Sequence, residues 1–122
     1  MTSALVWLGV GGLGAAGALA RFLLDGAVGR RVGRAFPFGT LLVNATGAFA
    51  LGVLVGAALG GDAYRLAGTG LLGAYTTFST WMLESHRLAE DGDLAGALAN
   101  VVASLAIGIG VALVGRHVGA AL

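Results

Sequence analysis

Neutral hydrogen-bonding side chains occur inside stretches of the chain that are otherwise apolar. Asn44 follows Thr40 by one helical turn and Ser104 follows Asn100 by the same spacing, so each pair lies on one face of a helix. Amides and hydroxyls at such positions supply compact hydrogen-bond donors without a fixed charge. The two pairs indicate either hydrogen bonds between helices or the polar lining of a path for a small anion.

The densest polar cluster is residues 73–81, GAYTTFSTW, whose glycine, threonines and serine are poor helix formers. If this stretch unwinds in a membrane, its carbonyls must line a cavity or bind something. Released carbonyl oxygens suit a small cation such as sodium. Phe78 and Trp81 share a face on which their positive ring edges could meet an anion, although such pairs also simply pack. Hydroxyl donors in the cluster come from Thr76, Thr77, Ser79 and Thr80.

Membrane-spanning helices must position these residues. Of the 122 residues, 57% are hydrophobic and 11% are charged, whereas a soluble domain carries about 25% charged residues. Charged residues leave four uncharged windows, each near the roughly 20 residues that cross a bilayer. The windows are residues 1–20, 35–61, 66–83 and 94–115. The predicted fold is an all-α membrane protein, with one domain over 1–122, a break in the third helix, and spans at about 2–24, 36–60, 66–84 and 94–116.

The distribution of arginine bears on orientation. One side of the predicted bundle carries four arginines and the other carries two, a mild bias that leaves insertion in both orientations open. These residues are Arg30, Arg31, Arg34 and Arg87 against Arg65 and Arg116. Arg21 closes the first apolar run, either as an interfacial anchor or as a fixed positive charge near an ion entrance.

Small residues repeat every fourth position along the second span and predict close helix packing. The repeat consists of Ala48, Gly52, Gly56 and Gly60. Part of this packing is expected within one chain. Because four short helices have difficulty shielding a polar path from lipid, a homodimer is the economical way to enclose one.

Several other functions are disfavoured. The chain has no cysteine, which excludes disulfides and thiolate metal sites. Gly9, Gly11 and Gly14 match the spacing of a dinucleotide-binding loop, but a second membrane span follows where a βαβ unit is needed. His86 and His117 lie outside the spans without a nucleophile nearby in sequence, so we expect no enzyme activity. A cleaved secretory signal is disfavoured because the first window lacks a basic leading segment.

Three segments of the sequence resemble the signature blocks of the Fluc/CrcB fluoride channels, in the same order and at matching separations. They are GGLGAAGALAR at 11–21, PFGTLLVNATGAFALG at 37–52 and GAYTTFSTWMLE at 73–84. The resemblance implies a passive, fluoride-selective channel in the cell (inner) membrane that exports fluoride and so reduces its toxicity. It also implies an antiparallel, dual-topology homodimer with two pores and a central structural sodium ion.

The resemblance also implies roles for individual residues. Gly73 and Thr76 match the break whose backbone carbonyls hold the sodium ion, and Phe78 matches the first ring of a phenylalanine pair in the pore. Trp81 stands where the second phenylalanine usually lies, and Asn100 stands where a tyrosine is common. The remaining matches are Thr40, Asn44, Ser79, Thr80 and Ser104 in the anion pathway, Arg21 at the vestibule, and Glu84 with an uncertain role.

Two other classes of membrane protein remain as alternatives. Small multidrug transporters also have four spans and antiparallel dimers, but they rely on a glutamate buried in the first helix, and residues 1–20 contain no acid. A non-transporting assembly protein would need only the glycine-rich packing faces. Its function would leave the clustered threonine, serine and asparagine residues unexplained. A sister subunit of opposite orientation is the alternative to a homodimer.

Overall fold

A computed structural model describes residues 3–122, and every regular element among them is helical. The predicted start of the first span at residue 2 lies outside the described residues. Two long helices and one shorter helix flank a region of short helical pieces. The elements are α1 (Ser3–Val32), α2 (Phe38–Gly56), α3 (Gly61–Tyr64), a π-helical segment (Arg65–Leu72), α4 (Gly73–Tyr75), α5 (Ser79–Glu90) and α6 (Leu94–Ala120).

Three of the described helices, α1, α2 and α6, are long and apolar enough to cross a membrane. Their apolar side chains mostly face outward. Only Val6, Val43 and Ala97 are buried hydrophobic residues in the described part of the chain, while Trp7 and Phe22 are among many large exposed ones. A surface of this kind is stable against lipid or another apolar protein surface, because exposing it to water is costly. The chain is therefore built as a multi-pass membrane protein.

Glycines bring α2 and α6 into backbone contact. A Cβ atom at Gly52 or Gly56 would overlap the backbone of α6, and one at Gly115 or Gly119 would overlap the backbone of α2. Small residues permit this approach, which maximises dispersion contact where lipid gives no hydrophobic drive to association. Two members of the predicted small-residue repeat thus pack within the chain, whereas a Cβ at Gly60 would meet no atom within 4 Å.

The region predicted as the third span consists of the π-helical segment, α4, a short non-helical segment and α5. Gly17 of α1 packs on the carbonyl of Leu71, and a Cβ at Gly70 would lie 3.1 Å from the backbone of Val10. After Tyr75 the backbone of Thr76 is extended, with φ −81° and ψ 158°. Helix resumes at Ser79, so the non-helical segment, residues 76–78, is shorter than the polar cluster in the sequence.

Local signals set several helix ends. Pro37 stands directly before α2, where its missing N–H costs no helical hydrogen bond. Gly33 ends α1 with φ 79°, a conformation that only glycine adopts without strain. Asp93 caps α6 by accepting a 2.8 Å hydrogen bond from the backbone N–H of Gly96. These ends leave short connections, which fix neighbouring helices side by side.

Candidate ion pathway

A groove of about 440 Å³ runs between α2, the short helical pieces and α6. All the residues lining it are uncharged. Most of its wall is apolar. Its few polar atoms come from amide and hydroxyl side chains and from backbone, and the rings of Tyr64, Phe78 and Trp81 form part of the wall. The lining includes Asn44, Gly73, Thr76, Thr77, Phe78, Trp81 and Ser104 from the sequence prediction, together with Thr69.

Asn44 holds the non-helical segment in place. Its Nδ2 donates a 2.8 Å hydrogen bond to the carbonyl of Thr77, and its Oδ1 accepts a 2.8 Å bond from the N–H of the same residue. The amide thus replaces the helical partners that the backbone of Thr77 lacks. Of the alternatives for Asn44, the hydrogen bond between helices is present. One N–H of the amide remains for a further acceptor in the groove.

The two hydrogen bonds between Asn44 and Thr77 also change the bonding of Gly73. In a continuous helix the carbonyl of Gly73 would accept from the N–H of Thr77, but this N–H donates to Asn44 instead. Thr76 turns its backbone out of the helix, and its hydroxyl donates a 3.0 Å bond to the carbonyl of Leu72. Gly73 and Thr76 both line the groove. Backbone oxygen released at membrane depth is suited to a small hard cation.

The hydroxyl of Thr77 caps the start of α5. It accepts a 3.2 Å hydrogen bond from the N–H of Thr80, one of the N–H groups left without a helical partner. The same hydroxyl lies 3.2 Å from the hydroxyl of Thr80 and 3.4 Å from that of Ser79. The three hydroxyls form a compact cluster at the end of a helix that points its partial positive charge toward them.

Phe78 and Trp81 form an edge-to-face pair. Their ring centroids are 5.6 Å apart and their planes meet at 85°. Phe78 is 69% exposed in the single chain. The indole Nε1 of Trp81 donates a 3.1 Å bond to the backbone carbonyl of Asn100, which ties α5 to α6. Because this N–H is engaged, Trp81 offers hydrocarbon ring surface to the groove.

Asn100 lies behind the groove wall instead of within it. Its side chain is 1% exposed. Its Nδ2 donates to Ser85 Oγ at 2.8 Å and to the carbonyl of Trp81 at 3.4 Å. Its Oδ1 accepts a 3.3 Å bond from the hydroxyl of Ser104, which does line the groove. The second polar pair of the sequence is therefore part of a network that joins α5 to α6.

Arg21 and Thr40 are brought together at one end of the groove region. They line a small cavity of about 60 Å³ with Thr77, Thr80 and Asp25. Thr40 is 3% exposed. The Nε of Arg21 is buried and has no hydrogen-bond partner among the described residues. The cavity thus combines one guanidinium and three hydroxyls, which can attract an anion, with the carboxylate of Asp25, which opposes it.

Glu84 lies in a separate polar pocket of about 320 Å³, at the side of the protein that carries the first and third loops. Arg34 and Arg87 also line this pocket, and Arg34 makes a 3.7 Å ion pair with Asp25. Glu84 Oε1 is buried without a hydrogen-bond partner in the described part of the chain. The pocket holds both signs of charge, in contrast to the uncharged groove.

Some of these residues carry no sequence signal strong enough to identify them. Ser85 lies one turn after Trp81, and this spacing is the only hint of its place in the network. Thr69 sits among glycines in the π-helical segment, and only the folded chain brings it to the groove. The partnership of Asn44 with the backbone of Thr77 spans 33 positions, which no local pattern indicates.

The membrane-spanning helices, and a largely apolar, uncharged groove with a few amide and hydroxyl groups, define a multi-pass membrane protein with a candidate path for a small ion. Residues 7–116 match the family described as "CrcB-like protein, Camphor Resistance (CrcB)". The chain belongs to this family, as the sequence resemblance predicted.

Curated relatives are similar over most of their length. A protein of Mycobacterium tuberculosis named "Fluoride-specific ion channel FluC 2" is 55% identical over 113 residues, which cover 93% of this chain and 90% of the relative. A protein of the same name from Haloarcula marismortui is 50% identical, covering 84% of this chain and 87% of the relative. "Fluoride-specific ion channel FluC" of Geobacter sulfurreducens is 47% identical, covering 82% and 85%.

Proposed function

We propose that this protein is a passive, fluoride-selective channel that lets fluoride leave the cytoplasm across the cell (inner) membrane. The observation that carries the proposal is the groove, in which hydroxyls, an amide and three aromatic rings occur together without a charged side chain. The names of the relatives supply the ion, since each is called a fluoride-specific ion channel. They name channels and not enzymes, which confirms the expectation that the chain is not an enzyme.

The groove chemistry suits fluoride. A small, strongly hydrated anion must exchange its water for compact donors along its route, because transfer without compensation is prohibitively costly. Asn44 lines the groove and has one free amide N–H. Ser79 and Thr80 lie outside the groove lining, and their hydroxyls cluster with that of Thr77 at the start of α5. Neutral donors also release the ion again, which conduction requires. We assign Thr40, Asn44, Ser79, Thr80 and Ser104 to the anion pathway, with Asn100 behind the wall.

The aromatic pair provides the weakly polar part of the route. Phe78 and Trp81 both line the groove and pack edge to face, and we propose that their remaining hydrogen-bearing ring edges meet the ion. These edges carry partial positive charge and attract an anion without holding it firmly. Trp81 acts as a hydrocarbon ring here, because its indole N–H is bonded to Asn100.

The charged residues lie at the ends of the proposed route. Arg21, with its unpartnered Nε beside Thr40, forms the vestibule that raises the local anion concentration. Glu84 lies in the polar pocket near Arg34 and Arg87, at a mouth and not in the narrow part. A fixed cation in the narrow part would hold fluoride too strongly for rapid passage.

The groove is open along one side in a single chain, and we propose that a second, antiparallel copy covers it. The large exposed apolar surface and the exposed Phe78 ring support this arrangement. Each chain would form one domain over 1–122, with four spans at about 2–24, 36–60, 66–84 and 94–116 and a break at residues 76–78. Inverted copies would enclose two equivalent pores.

A structural sodium ion fits the residues at the break. The carbonyl of Gly73 has lost its helical partner and Thr76 is extended, so both can direct backbone oxygen toward a cation. Backbone carbonyls at broken membrane helices bind sodium in this way. We propose that Gly73 and Thr76 of both copies hold the ion at the centre of the dimer. Its charge would join the two inverted chains and would not be transported.

The decisive experiment is fluoride efflux from liposomes that contain the purified protein. A fluoride electrode would record release while a potassium ionophore removes the membrane voltage, and protein-free vesicles would serve as the control. We expect rapid fluoride release, little chloride release, and no need for a proton gradient. Release that requires proton exchange would favour a transporter of the small multidrug type. No release from a well-folded dimer would favour an assembly protein, and release only after co-expression would identify a sister subunit.

A further inference from the structure

Asn100 lies at the centre of a hydrogen-bond network whose proton directions are fixed by one carbonyl. The backbone carbonyl of Trp81 can only accept, and Ser85 Oγ donates a 2.9 Å bond to it. The single hydroxyl proton of Ser85 is thereby used, so Ser85 Oγ accepts the 2.8 Å bond from Asn100. The NH₂ end of the Asn100 amide therefore faces Ser85 and Trp81.

This orientation determines what Ser104 does. The remaining end of the Asn100 amide is Oδ1, which has no proton and lies 3.3 Å from Ser104 Oγ. The hydroxyl of Ser104 must donate in this pair. Because Ser104 also lines the groove, the oxygen that it presents there carries lone pairs while its proton points backward to Asn100.

We propose that Asn100 is a positioning residue that competes with the permeating anion for the proton of Ser104. An anion that binds at Ser104 must draw this proton away from Oδ1 of Asn100. Its net binding free energy at Ser104 is therefore only the difference between the two hydrogen bonds. Ser104 thus becomes a weak binding point, as rapid passage requires. The inference rests on the proposed function and adds a role for a buried residue that does not touch the ion.

The position of Asn100 makes this role testable. The acceptor for the indole of Trp81 is the backbone of Asn100, so the bond between α5 and α6 survives a change of the Asn100 side chain. The carbonyl of Trp81 also keeps its bond from Ser85. Asn100→Leu, an apolar replacement of similar size, frees the proton of Ser104 without opening a cavity.

The experiment measures single-channel fluoride current in planar bilayers as a function of sodium fluoride concentration. We expect Asn100→Leu to lower the half-saturating fluoride concentration about three- to tenfold, the effect of one ordinary hydrogen bond. Adding Ser104→Ala to Asn100→Leu should abolish this decrease. Ser85→Ala is the matched control, because Asn100 keeps its bond to the carbonyl of Trp81 and should leave the half-saturating concentration unchanged.

The outcomes separate the inference from the proposed function. A parent protein that passes no fluoride, alone or with a sister subunit, overturns both. If the parent conducts but Asn100→Leu raises the half-saturating concentration, leaves it unchanged, or lowers it equally with and without Ser104, the role of Asn100 is overturned and the channel assignment stands. If Asn100→Leu does not fold, Asn100→Ala replaces it, because it also removes Oδ1 from Ser104 and keeps the backbone acceptor for Trp81. We expect the same decrease of about three- to tenfold, lost again when Ser104→Ala is added, and no decrease overturns the inference.

Discussion

Replacing Asn44 by alanine tests how the non-helical segment is held. The substitution removes both 2.8 Å bonds to Thr77 and leaves a backbone N–H and a backbone carbonyl without partners. An unpaired buried group costs about 1–3 kcal/mol. Both bonds are only partly buried, so water in the groove can replace some of the loss. We therefore expect local opening to become easier by about 1–3 kcal/mol in total, not by the full sum.

Hydrogen–deuterium exchange of the purified protein measures this change directly. A loss of about 1–3 kcal/mol corresponds to roughly 5- to 150-fold faster exchange of the Thr77 amide. Overlapping peptides that end on either side of Thr77 would isolate this position. Thr46→Ala is the matched control, because Thr46 on the same helix bonds to the hydroxyl of Tyr75 and not to Thr77. An unchanged exchange rate of the Thr77 amide in Asn44→Ala would show that Asn44 does not hold the non-helical segment in place.

Asn44→Asp distinguishes two roles of Asn44, which are to hold the non-helical segment and to bind the ion on its route. One carboxylate oxygen still accepts from the N–H of Thr77, so we expect this amide to stay protected, whereas the bond to the carbonyl of Thr77 is lost because a carboxylate cannot donate. The substitution places negative charge in the groove and loses the free amide N–H, so fluoride release from liposomes should stop while the protein remains folded. Normal fluoride flux through this variant would show that Asn44 does not lie on the ion route.

Three further substitutions test the aromatic pair and the helix packing. Phe78→Ala should strongly reduce fluoride throughput in liposomes, and an unchanged rate would show that the exposed ring only packs. Trp81→Phe should keep the flux but destabilise the protein by at least about 0.5–1.5 kcal/mol, since the bond to Asn100 and part of the packing of the indole are lost. Gly115→Ala should lower the thermal unfolding temperature through overlap with α2, at a cost of about 1–3 kcal/mol. Gly110→Ala, whose Cβ would meet no atom within 4 Å, is its control, and equal effects would refute the packing argument.

The sequence by itself determined the class of the protein and most of its helix positions. Low charge and long apolar windows leave no soluble alternative, and α1, α2 and α6 occupy three of the four predicted windows. α2 begins at Phe38, within two residues of the predicted start at 36, and directly after Pro37, because proline is compatible with a helix near its beginning. These are local properties, which depend on composition and on neighbours within a few positions.

The tertiary structure decided what the polar residues do. For Asn44 and Asn100 alike, the sequence left open hydrogen bonds between helices or the lining of a path. In the structure Asn44 both bonds to the backbone of Thr77 and lines the groove, whereas Asn100 is buried behind Ser104. The partners are 33 and 15 to 19 positions away, so helix packing chooses them. Periodicity gives the face of a helix on which a side chain lies, but only the neighbouring helix determines which donors are used within the protein and which remain for an ion.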